Sequence, residues 1–318
     1  MAITKNRQSE ETLKQMAEAV FPDKRTEKIT ELTEGMCNAA YFIEFTDGSK
    51  SVLKIAAENN DGLMSNEVNM MDAEVKAMRI VNERNAVKAA KVQYYDTSRT
   101  ICSGNYFFME ALPGQSFFSI RDKLSEEEKS IINFETGRIS KKLTFIQNGY
   151  FGLLGDAEHQ FKTLYDFSYY LISNILQDAK KKDIVIGVLP DEILRQLSAD
   201  KGIFEEVTQP SLVHYDMWDG NIFVEGNHIS GIIDWERAMW GEAFMDDRFR
   251  RHTRNNDFLR GFGKEEFIKE EMQRIYWYDV LLYLVMMTEG SYRGYEDDSQ
   301  YKWAKEMFLA SWEEIKNE

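Results

Sequence analysis

Apolar and polar residues recur with two different periods along this chain, and the change of period divides it. Leu13, Met16, Ala17 and Val20 fall at helical spacing behind Ser9, whose side chain suits an N-cap, so a helix over residues 9–20 is expected. Strand-like stretches follow at 28–33, 40–46 and 50–56. The last two flank Asp47-Gly48, a strong short-range hairpin signal. Met70, Met71, Val75 and Met78 then form an apolar stripe on a helix expected from Glu67 to Val81, and two more strands are expected near 91–95 and 105–110. A small antiparallel sheet with one intervening helix accounts for this half.

Pro113-Gly114, in Glu110-Ala111-Leu112-Pro113-Gly114, stops both regular structures and marks a hinge near 110–114. Beyond it the period is helical. Ser125-Glu126-Glu127-Glu128 is a capping box opening a helix toward Phe145, and further helices are expected at 161–178, 190–198, 264–288 and 300–316. Residues 211–234 are the exception, with short β runs around a turn-rich stretch. The expected architecture is α+β and bilobal: an N-lobe of residues 1–110, with a small antiparallel sheet, and a larger, mainly helical C-lobe of residues 111–318. The length of 318 residues agrees with a prior of about two domains.

Composition narrows the function. At 43% hydrophobic and 13% aromatic the chain can bury a large core, and 19 Gly and 4 Pro exclude collagen-like and long disordered readings. The 54 acidic side chains exceed the 39 basic ones, for a net charge of −15, the wrong sign for a duplex nucleic acid partner. Most of that excess lies beyond the hinge: residues 1–112 hold 14 basic and 17 acidic side chains, the remainder 25 and 37. Cys37 and Cys102 read as free thiols. The N-terminal residues are polar, and the most apolar run, Val280 to Met287, is far shorter than the ~20 residues needed to cross a bilayer, so a soluble cytoplasmic protein is expected.

The chemistry is concentrated in Leu212-Val213-His214-Tyr215-Asp216-Met217-Trp218-Asp219-Gly220-Asn221-Ile222-Phe223-Val224 and Gly231-Ile232-Ile233-Asp234-Trp235-Glu236. Two strand ends present Asp216, Asn221 and Asp234 near one point. Hard oxygen donors of this kind suit Mg²⁺, and a spare carboxylate can accept a proton from an incoming hydroxyl. Taken singly these are ordinary turn residues; taken together at this spacing they are the parts phosphoryl transfer needs. His214, on an apolar strand end, reads as a loop-orienting residue rather than a base. His159, His228 and His252 form no metal-binding spacing.

The pattern His-x-Asp-x-x-x-x-Asn followed by Ile-Asp-Trp resembles the aminoglycoside phosphotransferase family, small-molecule kinases with a protein-kinase-like fold. The resemblance spans roughly residues 25–290 and is strongest from 211 to 247. It implies that Asp216 orients and deprotonates the acceptor hydroxyl and that Asn221 and Asp234 hold Mg²⁺. Lys54 would grip the α- and β-phosphates of ATP, paired with Glu74, while Glu67, on the same helical face, is a second candidate. Glu34 to Asn38 would be a nucleotide-covering loop ending in Asn38, and Met109, Glu110 and Leu112 the hinge that meets adenine. Two departures are visible. Glu242 and Ala243 replace an Asp-Pro pair, and Tyr215 stands where the family usually has Gly, which requires an ordinary backbone conformation or strain at positive φ.

The resemblance implies ATP-dependent phosphorylation of a small molecule, with an aminoglycoside or another amine-bearing alcohol as acceptor. Choline-, ethanolamine- or amino-sugar-type metabolic kinases, or a silent nucleotide-binding regulator, are the alternatives. Protein kinase activity is disfavoured, since no Asp-Phe-Gly is present. The carboxylates Glu236, Glu242, Asp246, Asp247, Glu289, Glu296, Asp297 and Asp298 are candidates for drawing a cationic acceptor to the cleft, or are simply a solvated surface. Trp235, Trp240, Tyr292 and Tyr295 could stack on it or pack in the core. Oligomeric state is left open.

Overall fold

The computed structural model describes residues 5–33, 38–58 and 62–317. Helix α1 (Glu10–Val20) starts where the Ser9 hydroxyl accepts from the Thr12 amide. It lays Leu13, Met16 and Ala17 against the back of a five-stranded sheet. That sheet is built from β1 (Thr26–Leu32), β2 (Ala39–Phe45), β3 (Lys50–Ile55), β4 (Val92–Asp96) and β5 (Tyr106–Glu110), in the order β1-β2-β3-β5-β4 with every neighbour antiparallel. The β2–β3 turn is the expected one. Gly48 takes a positive φ of 79°, its amide donates to Phe45 O at 2.9 Å, and Asp47 Oδ1 accepts the Ser49 amide. The sheet therefore carries Lys54 on its central strand, opposite Phe107 of β5.

Helix α2 (Met70–Glu83) begins three residues later than the apolar stripe suggests, because Asn69 sits in the left-handed region (φ 44°, ψ 45°) and breaks the helical phase. Glu67 thus precedes the helix, and the shared helical face expected for Glu67 and Glu74 does not form. The segment Glu34 to Cys37, expected to cover the nucleotide, lies outside the described residues. Cys102 is a buried free thiol.

After Glu110 the chain makes β6 (Gln115–Ser116), α3 (Phe117–Ile120) and α4 (Glu126–Leu143), the last opened by the expected capping box between Ser125 and Glu128. Then follow β7 (Gly152–Leu153), α5 (Leu164–Lys181), α6 (Pro190–Ala199), α7 (Lys201–Glu205), β8 (Ser211–Val213), β9 (Ile222–Glu225), β10 (His228–Ile232), β11 (Met239–Gly241), α8 (Asn256–Phe262), α9 (Lys269–Arg293) and α10 (Ser299–Asn317). Two of these helices start and end later than expected. Thr163 caps α5, and α9 runs on to a left-handed Gly294. Strands β6, β7 and β11, and the seven-residue α8, are too short to show a period in sequence.

Two three-stranded sheets, β10-β9-β6 and β7-β11-β8, set the motif residues at strand ends. β8 stops one residue before His214, and the β9–β10 hairpin separates Asn221 from Asp234. One apolar cluster lies behind the large sheet, and another fills the helical part. A third crosses from Val52, Met109 and α2 to Ile222, Ile232 and Trp235, so the sheet and the motif strands share a core. No described helix is long and apolar enough to cross a membrane.

Candidate active site

The site is assembled from five segments, and its centre is Lys54. The Lys54 ammonium lies 2.6 Å from Glu74 Oε1 of α2 and 2.9 Å from Asp234 Oδ1 at the end of β10. Glu74 is completely buried. Burial works against the charge on Lys54, but the Asp234 and Glu74 carboxylates outweigh it and hold its pKa above the ordinary lysine range. Burial raises Glu74, whereas Lys54 keeps Asp234 low despite its burial. The partner left open in sequence is thereby decided. Glu67 bonds instead with Arg293, and its other oxygen accepts the Met64 amide at 2.9 Å.

The loop 214–221 is wired through backbone groups. His214 Nδ1 accepts the Asp216 amide at 3.3 Å, which makes Nε2 the protonated nitrogen that donates to Ile233 O at 2.9 Å. Burial pushes His214 down to about 4, so the ring is neutral, and it packs edge-on against Trp235. This is the loop-orienting geometry expected of it. Tyr215 takes the strained alternative, φ 75°. Both its backbone polar groups are tied down: its amide donates to Asp246 Oδ2 at 3.0 Å and its carbonyl accepts the Asp247 amide at 3.1 Å. Asn221 Nδ2 donates to Asp216 O at 2.8 Å and lies 3.4 Å from Asp216 Oδ2, while the Asn221 carbonyl accepts the Ile233 amide. Asp216, Asn221 and Asp234 are thus adjacent through direct bonds and one shared strand end.

Burial, with Asp234, Asp247 and Asp246 nearby, pushes Asp216 up to about 8; Arg237 is the main charge acting against that rise. Glu236 is likewise pushed up to about 8 by burial beside Asp234 and Glu74. Asn38, the residue before β2, reaches across and donates to Glu236 Oε2 at 3.0 Å. Glu74, Asp234 and Glu236 each bring one carboxylate oxygen to within 4.8 Å of the others, and the second oxygen of Glu74 is buried with no partner. Three carboxylates around one lysine leave the site short of positive charge. With Asn221 beside them, all the donors are hard oxygens, so these residues fit a divalent cation such as Mg²⁺.

At the other end of β5, Met109 is a buried ladder residue opposite Val52, and its carbonyl accepts the Ser51 hydroxyl at 3.0 Å. The Glu110 amide donates to Lys91 O, and the Leu112 side chain lies against Gly231 of β10.

Three residues with clear roles here were not singled out from sequence as site residues. Arg237 stands 3.8 Å from Glu67 and 3.7 Å from Glu289. Arg248 donates to Met217 O and to Asp219 Oδ1, both at 2.7 Å, anchoring the 216–221 loop. Asp246, which in sequence matches the Asp ending the family's Gly-Asp-Pro segment but is not singled out there as a site residue, holds that loop through the Tyr215 amide. An arginine three residues after Asp234 was the only available signal, and nothing in sequence separates it from a solvated one.

The acidic surface expected to draw a cation is largely spent internally. Glu242 pairs with Arg274 at 3.0 Å and accepts the Tyr278 hydroxyl at 2.6 Å. Glu289 accepts from Gln300 at 2.6 Å, Asp246 is buried under the loop, and Asp298 pairs with Lys302. Trp235 is fully buried and Trp240 nearly so, which makes both core residues.

Comparison with known proteins identifies the family and the fold. The family model described as "Phosphotransferase enzyme family" matches residues 28–246, which contain Lys54, Glu74, Asp216, Asn221, Asp234 and Glu236. No curated protein sequence matches. Among solved structures, a thermostable mutant of aminoglycoside phosphotransferase APH(4)-Ia, in a ternary complex with AMP-PNP and hygromycin B, superposes with a TM-score of 0.69 at 16% identity, covering 94% of this chain and 97% of that one. A putative aminoglycoside phosphotransferase from Ralstonia eutropha gives 0.64 at 13% identity, covering 98% and 99%. The streptomycin–ATP complex of APH(2")-IIa gives 0.57 at 15% identity, covering 96% of each chain. The bilobal α+β arrangement is therefore the fold of these enzymes, and with the family model covering more than half its length the chain belongs to the phosphotransferase enzyme family.

Proposed function

We propose that the protein transfers the γ-phosphoryl group of ATP to a hydroxyl of a small molecule. The observation that carries this reading is the convergence of Lys54, already paired with Glu74, on Asp234 beside the Asp216–Asn221 loop. In the reaction the acceptor oxygen bonds to the γ-phosphorus as the bond to the β–γ bridging oxygen breaks. ADP leaves, and the hydroxyl proton passes to an Asp216 oxygen. Asp216 orients the hydroxyl and accepts its proton. Lys54, held by Glu74, positions the α- and β-phosphates. Asn221 and Asp234 would hold Mg²⁺, with Glu236 next to them; when bound, the ion neutralises phosphate charge. Met109, Glu110 and Leu112 would form the hinge that meets adenine, and Asn38, which donates to Glu236, would close the nucleotide side.

The acceptor is a small alcohol. The test is ATP consumption with Mg²⁺ against aminoglycosides, choline, ethanolamine, amino sugars and other amino alcohols. Asp216→Asn should lower turnover of whichever acceptor is consumed by about 10²–10⁴-fold with the fold intact. Turnover near the wild-type level in that variant would remove Asp216 from the role.

A further inference from the structure

Four charged side chains close a ring between the lobes. Glu67 bonds with Arg293, Arg293 stands 3.8 Å from Glu289, Glu289 is 3.7 Å from Arg237, and Arg237 is 3.8 Å from Glu67. The signs alternate and cancel, and none of the four side chains is more than 18% exposed. Three distant segments supply them. Glu67 lies in a strap, residues 64–69, that leads into α2; Arg237 follows Asp234 by three residues; Glu289 and Arg293 are one turn apart at the C-terminal end of α9. From α10, Gln300 Nε2 donates to Glu289 Oε1 at 2.6 Å and fixes that corner.

The strap is seated firmly on the helical lobe. Met64 belongs to that lobe's core, the Ser65 amide donates to Asp178 Oδ2 at 2.6 Å, and Gly155 comes so close that a Cβ there would lie 2.0 Å from Val68 O. Beyond the other end of α2, the Ile232 amide of β10 donates to Lys88 O at 3.0 Å. Helix α2 is thus tied to the helical lobe at both ends, and because Asn69 gives its start no side-chain cap, the strap is what holds that end. Lys54 belongs instead to the sheet, and its ammonium meets Glu74 of α2, so the seat of α2 decides where Lys54 points. The opposite corner of the ring, Arg237, is the main charge acting against the rise at Asp216. Cohesion alone does not account for such a ring, since desolvating four charges costs about as much as their attraction returns.

We propose that Glu67, Glu289 and Arg293 are positioning residues: their ring with Arg237 sets α2, and through Glu74 the Lys54 ammonium, in register with the Asp216 loop. The nucleotide end and the acceptor end of the site are then aligned before either ligand binds. This rests on the phosphotransfer reading above.

The experiment compares the full chain with Arg293→Gln, Glu67→Gln and the double variant, under conditions where urea titration shows each to be folded. Two quantities are read: the Kd of AMP-PNP with Mg²⁺ by calorimetry, and amide hydrogen exchange of α2 relative to β3 without ligand. Each single variant should bind the nucleotide about tenfold or more weakly, because a small displacement of α2 misaims Lys54, and its α2 amides should exchange about tenfold faster relative to β3. The double variant, which removes one charge of each sign, should return to within about threefold of wild type in Kd. Gly137→Ala, on α4 and away from the ring, lowers stability without touching α2 and should leave both quantities as in wild type, which separates positioning from a general loss of stability. The inference is overturned if the single variants keep the wild-type Kd, if α2 exchange relative to β3 does not change, or if the two losses simply multiply in the double variant. Wild-type protein that binds no AMP-PNP would instead sink the phosphotransfer reading itself, and the exchange comparison, made without ligand, would still decide whether the ring sets α2.

Discussion

At the scale of single residues, the site is a set of buried charges whose cost is met by close pairing. Lys54 is the clearest case, since among the described residues its ammonium is the lysine charge held between Glu74 and Asp234, with Glu236 close by. Removing one partner of a buried pair costs about 3–5 kcal/mol because the other is left uncompensated. Lys54→Met should therefore lower the unfolding free energy by that order in urea titration, and the double variant Lys54→Met, Glu74→Gln should recover part of the loss. Additive losses would show that the pair is not coupled. His214 offers a second test, by pH. Its folded pKa, about 4, lies below its unfolded value near 6.5, so as pH falls through that window the unfolded chain gains a proton that the folded chain refuses. Stability from this group is whole above pH ~6.5 and declines by about 1.4 kcal/mol per unit below it. Wild type should lose about 2 kcal/mol more than His214→Asn between pH 7 and pH 5 in denaturant titrations. Equal losses would remove His214 from the account.

Secondary elements meet the site through close approaches that local sequence does not announce. Helices α4 and α8 cross so tightly that a Cβ on Gly137 would lie 2.0 Å from Phe258 O, and one on Gly261 the same distance from Phe134 O. A backbone carbonyl cannot swing aside as a flexible side chain can. Gly137→Ala should therefore separate the helices and cost about 1–3 kcal/mol, seen as a lower denaturation midpoint, with the activity per folded molecule nearly preserved because no site residue lies on either helix. The Tyr215 turn shows a local rule being overridden. Left-handed backbone costs a non-glycine residue roughly 1–2 kcal/mol, yet the buried Tyr215 ring and the two bonds from Asp246 and Asp247 hold it in place.

For the molecule as a whole, the cleft is where the lobes are tied together. Lys54 to Asp234, Asn38 to Glu236, and Glu67 to Arg293 and Arg237 all bridge the sheet side and the helical side. A ligand bound between them should stabilise the entire fold. MgATP at about 100 times its Kd should add about 2.7 kcal/mol, raising Tm in a thermal scan, and EDTA should abolish most of that shift. An equal shift with ATP in EDTA would place the stabilisation outside the Asn221–Asp234–Glu236 oxygens.

The sequence by itself determined the order of the longer elements, the Asp47-Gly48 hairpin, the Ser125 capping box and the 214–236 motif, because each depends on residues close together in the chain. Periodicity, turn chemistry and motif spacing are all local quantities. It also pointed to Lys54, through the resemblance that the downstream motif supplied. Tertiary structure alone decided that Lys54 takes Glu74 and not Glu67, since that choice turned on a left-handed Asn69 shifting the start of α2. It alone showed that Glu242, Asp246 and Glu289 serve the interior, and that Arg237 and Arg248 support the site. A charge read in sequence has a sign but no neighbours. Whether it attracts a substrate or balances another residue is settled by burial and by partners tens or hundreds of positions away.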